Sequence, residues 1–151
     1  MQKLMAAPRR LTMIQAEHRV QVATQGKGLY NIQRQIDSWI AEQPIQTGLL
    51  TVFIRHTSAS LIVQENADPD VLADLKDFFA RLVPDGDAAY RHSSEGPDDM
   101  PAHIRAVLSQ TQIAVPVSQG RLMLGTWQDI YVFEHRTAPH RREVALHLIG
   151  E

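Results

Sequence analysis

Between Tyr90 and Ile104 the chain reads YRHSSEGPDDMPAHI, which brings His92, Glu95, Asp98, Asp99 and His103 into one short run. Imidazole and carboxylate together form a donor set for a divalent metal where no thiolate competes, and imidazole also moves protons near neutral pH. Gly96-Pro97 turns the chain in the middle of the run. Pro101 suits the first turn of a helix, where its missing N–H costs nothing, and Asp98 or Asp99 can cap that helix. His103 therefore belongs to a helix that starts directly after the loop carrying His92, at the positive end of the helix dipole. A third imidazole, His56, ends an apolar strand at the small-residue turn Thr57-Ser58-Ala59-Ser60. From there its ring can project beyond the sheet edge. We expect His56, His92 and His103 to converge on one pocket, with Asp98 joining or orienting them. A ligating histidine needs an acceptor on its other ring nitrogen, and Asp98, Glu65 and Glu134 are candidates. The spacing is not an HExxH pattern, and the same histidines in a capping role or on backbone groups are the competing reading.

Other polar residues stand where strands end. Glu65 and Asn66 follow an apolar strand, and Asp68 caps the next helix. Glu134 and Arg136, two apart on a strand, are expected to form an ion pair on one face. Arg136, Arg141 and Arg142 lie around His140, either as a solvated turn or as an anion-binding edge, since arginine matches phosphate geometry. Gly125-Thr126-Trp127-Gln128 joins two strands, and Trp127 can serve the core or wall a site with Gln128 as its polar handle.

The elements that must position these groups follow from periodicity. Leu11 to Thr24 alternates as a strand, and Gln25 to Leu29 is a turn. Ile32, Ile36, Trp39 and Ile40 have helical spacing behind Asn31 as a cap. GLLTVFIRH over 48–56 and Leu61 to Gln64 read as strands of a hairpin-like unit with HTSAS at its tip. Asp68-Pro69 opens a helix running to Leu82, carrying Val71, Leu72, Leu75, Phe78, Phe79 and Leu82 at helical spacing. A long loop over 85–99 leads to a shorter helix over about 101–109, with Ile104, Val107 and Leu108 inward. Four strands follow, at 112–115, 121–124, 126–135 and 142–149. Strands on either side of a helical middle predict an α+β fold of antiparallel sheets packed with about three helices. Residues 1–10 read as a loose tail before a single domain over 11–151.

The 151 residues are 44% hydrophobic and 21% charged, an ordinary balance for a globular domain. A net charge of −2 gives no general affinity for nucleic acid or anionic membrane. Without cysteine there is no disulfide, thiolate metal site or thiol nucleophile. No apolar run approaches the roughly 20 residues of a membrane span, and the N-terminus lacks the apolar segment of a signal peptide. The default location is the cytoplasm.

HTSAS at 56–60, ENADPD at 65–70, YxH at 90–92, EGPDDMPAHI at 95–104, PVSQGRLMLGTWQDIYVFEHR at 116–136 and the arginines near the C-terminus resemble, in order and spacing, the YjbQ family, whose members are often described as secondary thiamine-phosphate synthases. The resemblance implies a compact α+β domain, a homotrimer and a histidine site, in some members with a metal. Carried onto this chain, the implied catalytic positions are His56, His92, Asp98 and His103, with His56, His92 and His103 as ligands for a divalent ion, zinc or magnesium. The implied substrate-binding positions are Thr57, Ser58, Glu65, Asn66, Trp127, Gln128, Glu134 and Arg136. The implied reaction joins a pyrimidine diphosphate to a thiazole phosphate, so the expected partner is a small anionic or phosphorylated molecule. A metal-dependent hydrolase of a small phosphorylated or ester substrate, and a non-catalytic binding module for a small anion or metabolite, are the alternatives.

Overall fold

The structure is a computed structural model and describes residues 12–151. The tail expected over residues 1–10 lies outside the described residues. Eight strands and three helices follow in the order β1 (Ile14–Thr24), β2 (Gly28–Asn31), α1 (Gln33–Ala41), β3 (Thr47–Ile54), β4 (Ala59–Glu65), α2 (Pro69–Leu82), α3 (Asp99–Leu108), β5 (Gln112–Ser118), β6 (Arg121–Leu122), β7 (Gln128–Glu134) and β8 (His140–Gly150). They form two antiparallel sheets, a five-stranded one ordered β1-β8-β3-β5-β6 and a three-stranded one ordered β2-β7-β4. The α+β expectation holds. No helix among the described residues is long and apolar enough to cross a membrane.

Strand alternation decides where the core sits. Leu50, Val52 and Ile54 of β3, Val144, Leu146 and Leu148 of β8, and Ile113, Val115 and Val117 of β5 are buried on one face of the large sheet. Ile130 and Val132 of β7 and Ile36 and Ile40 of α1 close over them. Where β3 and β8 cross at their ends only glycine fits: a Cβ on Gly150 would meet the Thr47 carbonyl oxygen at 2.1 Å.

Several local expectations change. β3 and β4 are not a hairpin. They belong to different sheets, so HTSAS is the corner where the chain passes from one sheet to the other. The turn expected over 25–29 ends in a short strand, β2, which pairs with β7. Asn31 stands one residue before the N-cap of α1, yet its Oδ1 still accepts the Gln33 N–H at 2.9 Å. Asp68 caps α2 as expected, accepting the Asp70 N–H at 2.9 Å. On α3 the inward face is Ala102, Arg105 and Ala106, while Val107 is 83% exposed. The reason is Arg105: its guanidinium is buried on the Val83 carbonyl and Asp85, and this rotates Val107 and Leu108 outward.

A buried polar network ties the sheets together at the end of β7. Glu134 is fully buried and accepts from Arg142 Nε at 2.7 Å, Arg142 Nη2 at 2.5 Å, Thr24 Oγ1 at 2.7 Å and the Arg136 backbone N–H at 3.0 Å. The expected Glu134–Arg136 ion pair is therefore replaced by Glu134–Arg142, because β8 carries Arg142 into the space between the sheets. Burial alone pushes the Glu134 carboxyl up, but the bonds from Arg142, Arg136 and Thr24 outweigh it and hold it below the ordinary value. Next to it, His135 Nε2 meets Ser60 Oγ at 2.8 Å, and burial, helped by the charges of Arg105 and Arg142, lowers its pKa to about 3.

Glu134→Gln should destabilise the fold by about 3–5 kcal/mol, since it strands a buried guanidinium; chemical denaturation checks this. The pH dependence has a defined sign. Folded His135 stays neutral down to about 3, whereas the unfolded chain takes up that proton below 6.5, so acidification favours unfolding across that interval. The Glu134 contribution is present above its unfolded value of 4.5 and is lost only as pH falls through the lower folded value. His135→Gln should therefore flatten the stability–pH curve between 6.5 and 4.5, removing up to about 1.4 kcal/mol per pH unit. Denaturation midpoints measured across that range provide the test.

Candidate functional site

The loop before α3 folds back on itself. Gly86 N–H bonds to the Pro97 carbonyl at 3.0 Å, and Gly96 takes φ +107°, a conformation that favours glycine. This turn places His92 against the first turn of α3. His92 Nε2 lies 2.5 Å from Asp99 Oδ2, and His103 Nε2 lies 3.3 Å from the same oxygen. The two rings have centroids 5.5 Å apart, and one donor atom from each of the three residues falls within 4.8 Å of the others. The Asp99 side chain is 1% exposed, the His103 ring is half-buried and the His92 ring is 42% exposed.

Arg136 fixes Asp99 from the other side. It donates from Nη1 to Asp99 Oδ1 at 2.5 Å, from Nε to Asp98 Oδ2 at 3.0 Å and from Nη2 to the Glu95 carbonyl at 2.8 Å. Asp98 also accepts the Thr137 N–H at 2.8 Å. Burial raises both carboxyls, and it is outweighed by the Thr137 and Arg136 bonds at Asp98 and by His92, Arg136 and His103 at Asp99. Both aspartates are held below the usual range.

The carboxylate between the histidines is thus Asp99, where Asp98 was expected. Asp98 is the N-cap residue of α3 but makes no side-chain cap bond, because its oxygens serve Arg136 and Thr137. The signal for Asp99 was in the sequence: it stands four residues before His103, which puts both on one helix face.

His56 is not among the three grouped residues. Its Nε2 accepts the Glu143 N–H at 2.8 Å, so that lone pair is already engaged in the β3–β8 region. Burial, then Arg142, lowers its pKa. The convergence of all three histidines gives way to two histidines and Asp99. The corner beside His56 still contributes: the Thr57 carbonyl lies 3.0 Å from His103 Nδ1, and Ser58 accepts from Arg142 at 3.0 Å.

The remaining predicted positions lie elsewhere. Asn66 Nδ2 donates to Asp129 at 3.0 Å and to the Thr126 carbonyl at 3.2 Å, and Gln128 Oε1 accepts the Gly125 N–H at 2.8 Å. Asn66 and Gln128 line a separate cleft of about 650 Å3 with Gln33, Asp37 and Gln46. Trp127 is 63% exposed, so it does not serve the core. The Glu65 backbone carbonyl accepts the Tyr131 hydroxyl at 3.0 Å. Glu134 belongs to the buried network and Arg136 to the aspartates.

His103 carries a constraint on protonation. The Thr57 carbonyl can only accept, so Nδ1 is the protonated nitrogen. Nε2 then either bears a second proton or turns a lone pair towards the Asp99 carboxylate. Two acceptors facing each other need a cation between them, and two imidazole nitrogens with one carboxylate oxygen suit zinc. A cavity of about 400 Å3, lined by Tyr90, His92, Ser93, Gly96, Met100 and Pro101, adjoins the group and can admit a small molecule.

The family model described as UPF0047 protein YjbQ-like matches residues 18–151. UPF0047 protein sll1880 from Synechocystis is 58% identical, over 86% of this chain and 88% of that relative. YjbQ from Escherichia coli O157:H7 is 40% identical, over 86% of this chain and 94% of that relative. The crystal structure of the Thermus thermophilus protein TT1486 superposes with a TM-score of 0.76 at 35% identity, over 85% of this chain and 97% of that one. A Sulfolobus solfataricus protein of unknown function shares the fold with a TM-score of 0.84 at 20% identity, over 93% of this chain and all of that one. With motifs, fold and relatives in agreement, the chain belongs to the YjbQ-like UPF0047 family.

Proposed function

We propose that the protein is a cytoplasmic homotrimeric enzyme that acts on a small anionic metabolite at His92, Asp99 and His103, with a divalent cation, zinc by preference over magnesium, held by those residues. The observation that carries this reading is the His103 ring: Nδ1–H is spent on the Thr57 carbonyl while Nε2 faces Asp99 at 3.3 Å. When bound, the cation would offset negative charge on a phosphorylated substrate. The Arg136 clamp keeps Asp99 ionised and in place, and the Thr57 carbonyl fixes the His103 tautomer. His92, on the edge of the neighbouring cavity, would bring the cation within reach of a substrate there.

The reaction we assign first is the synthase step. The thiazole nitrogen attacks the pyrimidine methylene carbon, a C–N bond forms, the C–O bond breaks and pyrophosphate leaves. A hydrolase is the second reading, favoured by one observation: Arg136, the arginine expected to hold phosphate, is spent on Asp98, Asp99 and the Glu95 carbonyl. Assembly is supported by the outer face of the large sheet, where Leu49 and Phe53 are each 41% exposed beside Pro116, Ala145 and Ile149.

His103→Ala and Asp99→Asn should remove bound zinc and turnover together. Asp98→Asn should weaken zinc binding by about 10- to 100-fold, as for a residue that positions ligands. Metal analysis of the purified variants and competition with a chelator provide the readout. Wild-type zinc content in His103→Ala would reject the site. A synthase forms thiamine phosphate only when both precursors are present, whereas a hydrolase consumes one phosphorylated substrate alone; turnover of neither leaves a binding module. For the assembly, sedimentation should show a trimer, and Phe53→Glu together with Leu49→Glu should shift it to monomer. A wild-type protein that sediments only as monomer at micromolar concentration would contradict it.

A further inference from the structure

Another cavity, of about 210 Å3, lies between α2, α3 and the end of β7, and none of its lining residues belongs to the His92–Asp99–His103 group. Phe79 of α2 and Phe133 of β7 pack edge to face at 5.2 Å, and Phe133 lies 4.3 Å from the His135 ring, so one wall is aromatic. Lys27, Lys76 and Arg105 also line it.

Arg105 is 3% exposed, and its Nη2 is bound to the Val83 carbonyl and to Asp85. Its Nε–H has no acceptor among the described residues. A buried guanidinium N–H without a partner costs free energy that an anionic acceptor would recover. The charge around the cavity agrees. Lys27, Lys76, Arg105 and Arg142 stand against Asp77, Asp85 and Glu134, with Lys27 and Arg105 both paired to Asp85 and Arg142 to Glu134. One positive charge is left over. His135 adds none, since burial keeps it neutral well below neutral pH.

We propose that this cavity is a binding site for a small organic monoanion, a carboxylate on an aromatic or compact aliphatic body, with the carboxylate on Arg105 Nε–H and the body against Phe79 and Phe133. The space fits that class, being larger than the roughly 150 Å3 apolar cavity that accommodates benzene. The lone excess charge and the apolar wall favour such a carboxylate over inorganic phosphate.

The test is calorimetric titration of the intact protein with benzoate, with benzamide as its neutral isostere and inorganic phosphate as the bare anion. Two variants accompany it. Arg105→Lys keeps the charge but lacks the Nε–H, and Ala80→Leu adds bulk from an exposed lining position of α2 with little risk to the fold. Benzoate should bind at one site per chain, with benzamide and phosphate at least about tenfold weaker, as expected for losing either the charged hydrogen bond or the apolar contact. Both variants should weaken benzoate by a similar factor. Benzamide binding as tightly as benzoate, benzoate affinity unchanged in Ala80→Leu, or no benzoate binding at millimolar concentration would each overturn the proposal.

Discussion

The buried pair of Glu134 and Arg142 is the interaction on which the rest of the molecule depends. Each charge loses its hydration on folding, a cost of several kcal/mol per ion that only dense hydrogen bonding offsets. Glu134 receives four donors, and Arg142 also reaches the Ser58 carbonyl and hydroxyl. The pair links β7 of the small sheet, β8 of the large sheet and the corner between β3 and β4. It therefore fixes where β7 ends, and the next two residues inherit that position. His135 goes to Ser60, and Arg136 goes to Asp98 and Asp99.

From that anchor the candidate site assembles in steps. Arg136 holds both aspartates at the start of α3, and Asp99 then stands between His92 from the loop and His103 from the helix. The β3–β4 corner supplies the Thr57 carbonyl that decides the His103 tautomer. Charges alternate along this chain of contacts, from Glu134 to Arg142 and from Arg136 to Asp99 and the imidazoles. A cation or proton at the histidines would continue the alternation, in keeping with the proposed cation site.

Much of this was legible in the sequence, and the reasons are specific. α2 was readable because Asp68-Pro69 is a local start signal that no tertiary contact had to supply. The 90–104 run was readable as a site because turn chemistry and helix-start residues are local too. What failed depended on long-range pairing. The choice of Arg142 over Arg136 for Glu134 is made by the register of β7 and β8 in two different sheets. The destination of His56, on the Glu143 N–H, depends on where β3 meets β8. The inward face of α3 depends on contacts that helical spacing does not show: Asp85 and the Val83 carbonyl draw Arg105 inside and leave Val107 and Leu108, expected in the core, exposed. Between the adjacent Asp98 and Asp99, the expected joining role falls to Asp99, whose four-residue spacing from His103 puts both on one helix face.

The central claim, that His92, Asp99 and His103 form a cation site, is tested most directly by following histidine ring nitrogens with 15N NMR as zinc is added. His103 Nε2 and a ring nitrogen of His92 should shift together at one equivalent, while His103 Nδ1 keeps its proton on the Thr57 carbonyl and His56 Nε2 stays on the Glu143 N–H. If zinc left the His92 and His103 nitrogens unchanged, or moved His56 first, the site would be a hydrogen-bonded support for α3 and the account would be contradicted.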